Sequence, residues 1–300
     1  MSQLLRDLLV LTKWRITAMA LFTGYAAIAV HGEHTTDWLF IGPCLIALFL
    51  VGGCANTLNQ IFEKDKDAVM NRTKSRRPLP AGRISVRAAY AFAIGQGVIA
   101  LAILGFFYAS WLAAALGLFT IVYYSFFYTL FLKPRHYLNI VIGGVPGSMG
   151  PLIAWAAMTN EIAAIPLAMF ALIFLWTPPH VWALAIKLKD DYARAGIPML
   201  PVVKGVDETT RQIFIYTVVM VAATLALPLA LPLFAPAFTT SPIYTATALV
   251  LGAVFLVWTA ILWKRRPVIQ TMPLFRFTIL YIGALFLGLM LDHMLLAEAT

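Results

Sequence analysis

Charged residues are scarce in this sequence. Lysine, arginine, aspartate and glutamate make up 12% of its 300 residues, whereas 61% of the residues are hydrophobic. Because soluble domains carry about 25% charged residues, this composition excludes a soluble globular protein and indicates one embedded in a membrane. Cysteine is scarce too, since Cys44 and Cys54 are the two in the chain and lie ten residues apart on one predicted helix. That separation is too great for a bond between them, which excludes a disulfide-stabilised fold.

Long apolar runs occupy most of the chain. A helix needs about 20 apolar residues to cross the hydrocarbon core of a bilayer. Nine such runs lie at residues 16–31, 39–58, 88–108, 111–132, 138–158, 162–184, 213–235, 242–263 and 274–296. We therefore predict an all-α polytopic membrane protein in which about nine transmembrane helices surround a central cavity. Residues 1–300 would form a single domain within the lipid bilayer.

Basic residues are absent from alternate loops. The segments around residues 31–37, 109–111, 159–161 and 235–242 and the C-terminal tail contain no lysine or arginine. The basic residues, including those at 264–266, lie in the other segments, which is the positive-inside pattern of a chain with a cytoplasmic N-terminus and an external C-terminus. The net charge of +9 therefore reflects topology and not nucleic-acid binding. No signal or transit peptide is recognisable, so we expect the inner membrane of a bacterium.

Two cytoplasmic loops, residues 62–87 and 187–212, are much longer than the others. Each contains an acidic patch followed by a proline turn and a glycine, at residues 77–82 in the first loop and 197–205 in the second. This recurrence predicts two related four-helix units, roughly 13–135 and 136–263, followed by a last helix at 274–296.

Residues that disrupt helices occur within two of the predicted spans. The fifth contains Gly143, Gly144 and Pro146, and the sixth contains Pro178 and Pro179. We expect both spans to be broken or kinked. Irregular backbone at membrane depth is tolerated where it lines a cavity, so these breaks favour a central chamber.

The acids of the two long loops form a candidate metal site. Asn59, Glu63 and Asp67 are spaced four residues apart, which places them on one helical face. Asp190 and Asp191 form a second acidic pair. A small set of oxygen ligands suits Mg²⁺ that also coordinates phosphate. A solvated surface would contain the same residue types, but two such loops at equivalent positions favour the metal site.

Basic residues surround these acids and could bind a diphosphate. They are Arg72, Lys74, Arg76, Arg77, Lys133 and Lys187, and Tyr128 lies close enough in sequence to join Lys133. A metal-bound diphosphate beside an apolar chamber indicates transfer of an isoprenoid, with diphosphate as the leaving group. The alternative is a transporter built from repeats. Transport would place charges near the middle of the membrane, whereas here they gather at the cytoplasmic side.

At these residues the chain resembles the intramembrane prenyltransferases of the UbiA superfamily, whose first signature is Asn-Asp-x-x-Asp-x-x-x-Asp. Asn59, Glu63 and Asp67 match the asparagine and the last two acids, whereas Gln60 replaces the first acid. Residues 72–82 resemble the segment that follows this signature.

Residues 139–144, 176–185 and 190–205 narrow the resemblance to the protohaem IX farnesyltransferase family. The resemblance extends from Lys13 to about His293 and implies an Mg²⁺-dependent enzyme, with Asn59, Glu63, Asp67, Asp190 and Asp191 as ligands. Its substrates would be farnesyl diphosphate and haem b, and its product haem O would pass to a haem A-forming enzyme or a terminal oxidase. Prenylation of an aromatic acid in quinone synthesis is the alternative within the superfamily.

A haem substrate draws attention to His180, which follows the double proline of the sixth span. It could bind or orient haem b by ligating iron or by hydrogen bonding. A buried histidine that bonds a neighbouring carbonyl would fit the sequence equally well, so both interpretations stay open at this point.

Overall fold

The described part of the chain is helical throughout. The computed structural model describes residues 2–235, 242–265 and 268–297, and no strand occurs within these ranges. Most of the predicted outer segment 235–242, Arg266 in the predicted basic group and the last three residues lie outside the described residues. The prediction of an all-α protein is therefore confirmed.

The first half of the chain contains two helices that continue into π-helical turns. Its elements are α1 (Gln3–Thr12), α2 (Trp14–His31), α3 (Trp38–Phe62), α4 (Lys64–Val69), α5 (Val86–Ala102, π-helical over Ile103–Phe107) and α6 (Trp111–Val122, π-helical over Tyr123–Leu132).

The second half begins with three short helices and continues with longer ones. They are α7 (Asn139–Ile142), α8 (Val145–Ser148), α9 (Gly150–Thr159), α10 (Ala164–Lys187), α11 (Lys189–Arg194), α12 (Leu200–Val203), α13 (Gly205–Phe234), α14 (Pro242–Arg265) and α15 (Thr271–Ala297).

Eight helical segments of the described residues are long and apolar enough to cross a membrane. They are Trp38–Phe62, Val86–Phe107, Trp111–Leu132, Asn139–Thr159, Ala164–Lys187, Gly205–Phe234, Pro242–Arg265 and Val268–His293. The first predicted span, 16–31, forms α2 but is not among these eight. Helix α2 is 18 residues long and includes Arg15 and His31 near its ends, which lowers its mean hydropathy.

The two proline- and glycine-containing spans behave differently. The fifth is interrupted at Gly143 and again at Met149, so it consists of α7, α8 and α9, as predicted. The sixth is not broken, because α10 runs as one α-helix through Pro178 and Pro179. Two adjacent prolines remove two backbone donors from a helix, and α10, which packs against α13 and α15, is nevertheless continuous.

Helix α2 joins the two halves of the protein. It packs against α3 in the first half and against α9 and α15 in the second. An open groove with a volume of about 620 Å³ lies beside α14, where Trp258, Ile261, Arg265 and Gln270 are among its lining residues. The central chamber and the division into two four-helix units stay predictions.

We expect Gly150→Ala to destabilise the protein. A Cβ atom at Gly150 would lie 2.9 Å from the backbone oxygen of Ala20 and 3.1 Å from Thr23 Oγ1. Helix α2 would therefore have to move away from α9, at a cost of about 1–3 kcal/mol. The measurement is thermal unfolding in detergent. The matched control is Gly147→Ala, because a Cβ atom there meets nothing within 4 Å. Equal melting temperatures for the two variants would contradict this account of the α2–α9 contact.

Candidate active site

Asn59, Glu63 and Asp67 share one buried face at the end of α3. The backbone N–H of Glu63 donates to Asn59 O at 3.0 Å, and that of Asp67 donates to Glu63 O at 2.8 Å. These bonds continue the four-residue spacing of a helix from α3 into α4, although the helix axis is interrupted at Glu63. All three residues are less than 5% exposed. The oxygen stripe expected from the spacing is therefore present.

Cations from two other segments neutralise the two carboxylates. Lys133 Nζ lies 2.5 Å from Glu63 Oε1. The Arg77 guanidinium donates to the Asp67 carboxylate and lies 3.9 Å from Glu63 Oε2. Burial is the largest effect and disfavours the charged form of Glu63, but Lys133, Lys13 and Arg77 together outweigh it and lower the pKa of Glu63. At Asp67, burial prevails over Arg77 and raises the pKa of the carboxyl.

A third cation, Lys13, was missed as a site residue in the sequence. Its Nζ donates to Asn59 Oδ1 at 2.8 Å and to the Tyr124 hydroxyl at 3.3 Å. Asn59 also donates through Nδ2 to Thr129 Oγ1 at 3.0 Å, which orients its amide. Burial and the nearby Arg77 hold the pKa of Lys13 well below its ordinary value. Lys13 therefore belongs to the same buried cluster as the acids.

The backbone corner at Lys13 is held by amides from α3. Lys13 has φ 50°, a left-handed conformation that separates α1 from α2 and leaves the last carbonyls of α1 without helical donors. Gln60 Nε2 donates to Val10 O at 2.8 Å and to Leu11 O at 2.9 Å, and Asn56 Nδ2 donates to Thr12 O at 3.1 Å. Gln60, which replaces an acid of the signature, thus stabilises the corner that presents Lys13.

The signal for Lys13 was present in the sequence. Asn56 and Gln60 are four residues apart in a largely apolar helix, and buried amides at that spacing require polar partners from another segment.

Asp191 ties the second long loop to the first. Its carboxylate accepts the backbone N–H groups of Asn71 at 3.2 Å and Arg72 at 3.1 Å, and the Arg194 guanidinium also donates to it. Desolvation disfavours its charged form, but the backbone donors of Arg72 and Asn71 together with Arg194 outweigh that effect and lower the pKa of Asp191. The two acidic loops are therefore physically joined.

The remaining predicted site residues divide by burial. Asp190, Lys74, Arg76 and Lys187 are exposed at the surface of the loops. Arg72 is half-buried, and its Nε is enclosed without an acceptor among the described residues. A buried guanidinium donor without a partner is suited to an anionic ligand.

The π-helical turn at the end of α6 places two tyrosine rings beside Lys133 at the border of the site. Lys133 N bonds to Tyr128 O at 2.8 Å, a five-residue step that turns Tyr124, Tyr128 and Lys133 differently from an α-helix. The Tyr124 and Tyr128 rings stack with centroids 5.3 Å apart, and Lys133 Nζ lies 5.9 Å from the Tyr128 ring. A Cβ atom at Gly143 would lie 2.3 Å from this ring, so α7 can approach it only with glycine there.

His180 lies between aromatic rings deeper in the protein. Its centroid is 4.1 Å from that of Trp176 and 4.3 Å from that of Phe275, with the three rings nearly parallel. Its Nδ1 is 2.7 Å from Thr278 Oγ1. Helix α15 therefore supplies partners that the sequence of α10 did not indicate.

The chemistry of the donor set fits a divalent cation. Asn59, Glu63 and Asp67 offer hard oxygen atoms on one face, and their present partners are cations that a diphosphate would also attract. Within the described ranges, no three His, Cys, Asp or Glu side chains are grouped to hold a metal by themselves. An incomplete ligand set of this kind suits Mg²⁺ that shares its coordination with phosphate.

Comparison with known proteins identifies relatives over most of the chain. The model of the UbiA prenyltransferase family matches residues 20–291. The protoheme IX farnesyltransferase of Afipia carboxidovorans is 42% identical over 247 residues, which cover 82% of this chain and 76% of that protein. The one from Rhizorhabdus wittichii is 42% identical over 255 residues, covering 85% of this chain and 81% of the relative.

Solved structures agree in fold. A digeranylgeranylglyceryl phosphate synthase structure has a TM-score of 0.76 at 17% identity, covering 96% of this chain and 98% of that one. A UbiA homologue from Archaeoglobus fulgidus, bound to DMAPP and Mg²⁺, has a TM-score of 0.63 at 17% identity, covering 94% and 99%. Together with the family model and the relatives at 42% identity, this likeness shows that the chain belongs to the UbiA prenyltransferase family.

Proposed function

We propose that this protein transfers a farnesyl group from farnesyl diphosphate to a vinyl group of haem b and forms haem O. The relatives named protoheme IX farnesyltransferase, at 42% identity over more than four-fifths of the chain, support this substrate pair. The observation that carries the proposal in the structure is the buried cluster of two carboxylates with three cations at the junction of the two loops.

The cations of this cluster bind the diphosphate of the prenyl substrate. Lys133, Arg77 and Lys13 are each held within a few ångströms of the acid face, and Arg72 contributes its unpartnered Nε. Lys74 and Lys187, which are exposed, contribute at the rim of the site. The Tyr128 ring borders the site beside Lys133. Donors that are already in place stabilise the charge that develops on the leaving oxygen.

Asn59, Glu63, Asp67, Asp190 and Asp191 hold Mg²⁺ beside that diphosphate. The bound metal neutralises charge on the leaving group. Asn59, Glu63 and Asp67 supply oxygens from the first loop, and Asp190 is exposed at the second. Asp191 keeps the loops together through Asn71 and Arg72, so the two ligand groups stay close.

The reaction breaks the bond between farnesyl C1 and the diphosphate oxygen, and the electron pair leaves with the diphosphate. The terminal vinyl carbon of haem b attacks C1, which places a cation on the carbon next to the porphyrin. Water adds to that cation and releases a proton, so haem b, farnesyl diphosphate and water give haem O, diphosphate and a proton. An apolar surrounding shields the first cation from water, and His180 binds or orients haem b within it.

The active site faces the cytoplasm in this proposal. The protein lies in a bacterial inner membrane with its N-terminus inside and its C-terminus outside, as the distribution of lysine and arginine supports. A haem A-forming enzyme or a terminal oxidase then receives the product.

The test is a reaction of the purified protein with haem b, farnesyl diphosphate and Mg²⁺, followed by mass spectrometry. We expect a product heavier than haem b by a farnesyl group and a hydroxyl group. A product that appears on an added aromatic acid, with none on haem b, would instead assign the protein to quinone synthesis. No prenylated product from either acceptor would refute a prenyltransferase with these substrates.

In the same assay we expect Asp67→Ala to reduce product formation by more than about 100-fold, because even the outer partners of metal ligands are worth 10- to 100-fold. Asp65→Ala is the matched control, since Asp65 lies on the exposed side of α4. An equal loss of product formation in the two variants would show that Asp67, although it is buried beside Arg77, matters no more to the reaction than the exposed Asp65.

We expect Lys13→Met and Lys133→Met each to raise the KM for farnesyl diphosphate. A hydrogen bond to a charged group is worth about 1.5–3 kcal/mol, which corresponds to roughly a 10- to 100-fold change in affinity. Lys264→Met, at an exposed cytoplasmic lysine of α14, serves as the control. If Lys13→Met leaves this KM unchanged while Lys133→Met raises it, Lys13 supports Asn59 and does not bind the diphosphate.

A further inference from the structure

We propose that His180 ligates the iron of haem b through Nε2 and that Thr278 of α15 is the positioning residue that makes this nitrogen available. The inference rests on the proposed haem substrate and specifies how the protein would hold it. It assigns a function to a residue of the last helix, 98 positions away from His180 in the chain.

The hydrogen-bond geometry determines which nitrogen of His180 carries the proton. Thr278 Oγ1 lies 2.7 Å from Phe275 O and 2.7 Å from His180 Nδ1. A carbonyl oxygen only accepts, so the single hydroxyl proton of Thr278 must point to Phe275. The hydroxyl oxygen then accepts a hydrogen bond from His180, which places the proton on Nδ1. In a neutral imidazole the other nitrogen, Nε2, consequently has a free lone pair.

The surroundings of the ring fix its direction. Trp176 covers one face at 4.1 Å and 18°, and Phe275 covers the other at 4.3 Å and 22°. Trp176 is held in turn, because its Nε1 donates to Thr278 O at 2.7 Å. Thr278, which is fully buried, thus anchors both the imidazole and the indole that stacks on it. The ring cannot turn without breaking these contacts.

The free nitrogen is not used inside the protein. No hydrogen bond from His180 Nε2 occurs within residues 2–235, 242–265 and 268–297, and this atom is not among their enclosed unpartnered nitrogens. Part of the surface of this atom is therefore accessible. Neutral imidazole nitrogens are common ligands of haem iron. Histidine ligands of metals usually donate their second nitrogen to a fixed acceptor, as His180 does to Thr278.

A structural histidine would share the burial and the stacking but would make no prediction about iron. Ligation predicts a spectroscopic signal from the iron–nitrogen bond that depends on the Thr278 hydroxyl. A hydrogen bond from Nδ1 makes the ligating nitrogen more basic, so its loss should weaken that bond without removing it.

The experiment is titration of the purified full-length protein with haem b, followed by resonance Raman spectroscopy of the ferrous complex. In wild type we expect an iron–histidine stretching band. His180→Ala should lose the band and regain an axial ligand when imidazole is added. Thr278→Val should keep the band at lower frequency and bind haem b about 10-fold more weakly, whereas Thr278→Ser should resemble wild type.

Thr259→Val is the matched control, because Thr259 is a fully buried threonine whose hydroxyl donates to Phe255 O at 2.9 Å and contacts no histidine. An unchanged spectrum in His180→Ala would overturn iron ligation, even if haem O still forms. A frequency shift of equal size in Thr259→Val and Thr278→Val would overturn the assignment of Thr278. If wild type neither binds nor farnesylates haem b, the proposed function itself fails.

Discussion

Two buried carboxylates, one at the end of α3 and one in α4, need positive partners, and this requirement brings several separate segments together. Glu63 and Asp67 are each less than 5% exposed, and an uncompensated charge at such positions costs several kcal/mol. Lys133 comes from the end of the π-helical turn, Arg77 from the first long loop, and Lys13 from the corner between α1 and α2. The approach of these elements follows from charge as much as from apolar packing.

The need to pair buried charges also bears on how the acids and cations of the cluster would respond to the proposed substrate. Each cation that now neutralises an acid is also a donor suited to phosphate. In the proposed function, an incoming diphosphate with its metal brings charges of both signs, so the acids would pair with the metal and the cations with the diphosphate, and no buried charge would be left unpaired. The cluster would thus contain the groups that the proposed substrate needs.

Periodicity and local spacing predicted what depends on neighbouring residues. They located the apolar helices, the interruption at Gly143 and the acid stripe on α3. They did not predict that α10 continues through Pro178 and Pro179, because two missing backbone donors locally favour an interruption. Nor did they separate Asp190 from Asp191, because contact with a loop about 120 positions away distinguishes the two. Thr278 escaped notice for the same reason, because it contacts a residue far from it in sequence, whereas for Lys13 the buried amides of α3 indicated a polar partner without identifying it.

The tie between the loops has a consequence for how this protein can vary. Asp191 recognises the backbone amides at positions 71 and 72 and not their side chains. The contact with Asp191 therefore excludes proline at positions 71 and 72, because proline has no amide hydrogen to donate. The side chains at these two positions take no part in these hydrogen bonds, so the junction itself permits other residues there. In the proposed function, substrate preference at this edge of the site could then diverge while the contact between the loops is preserved.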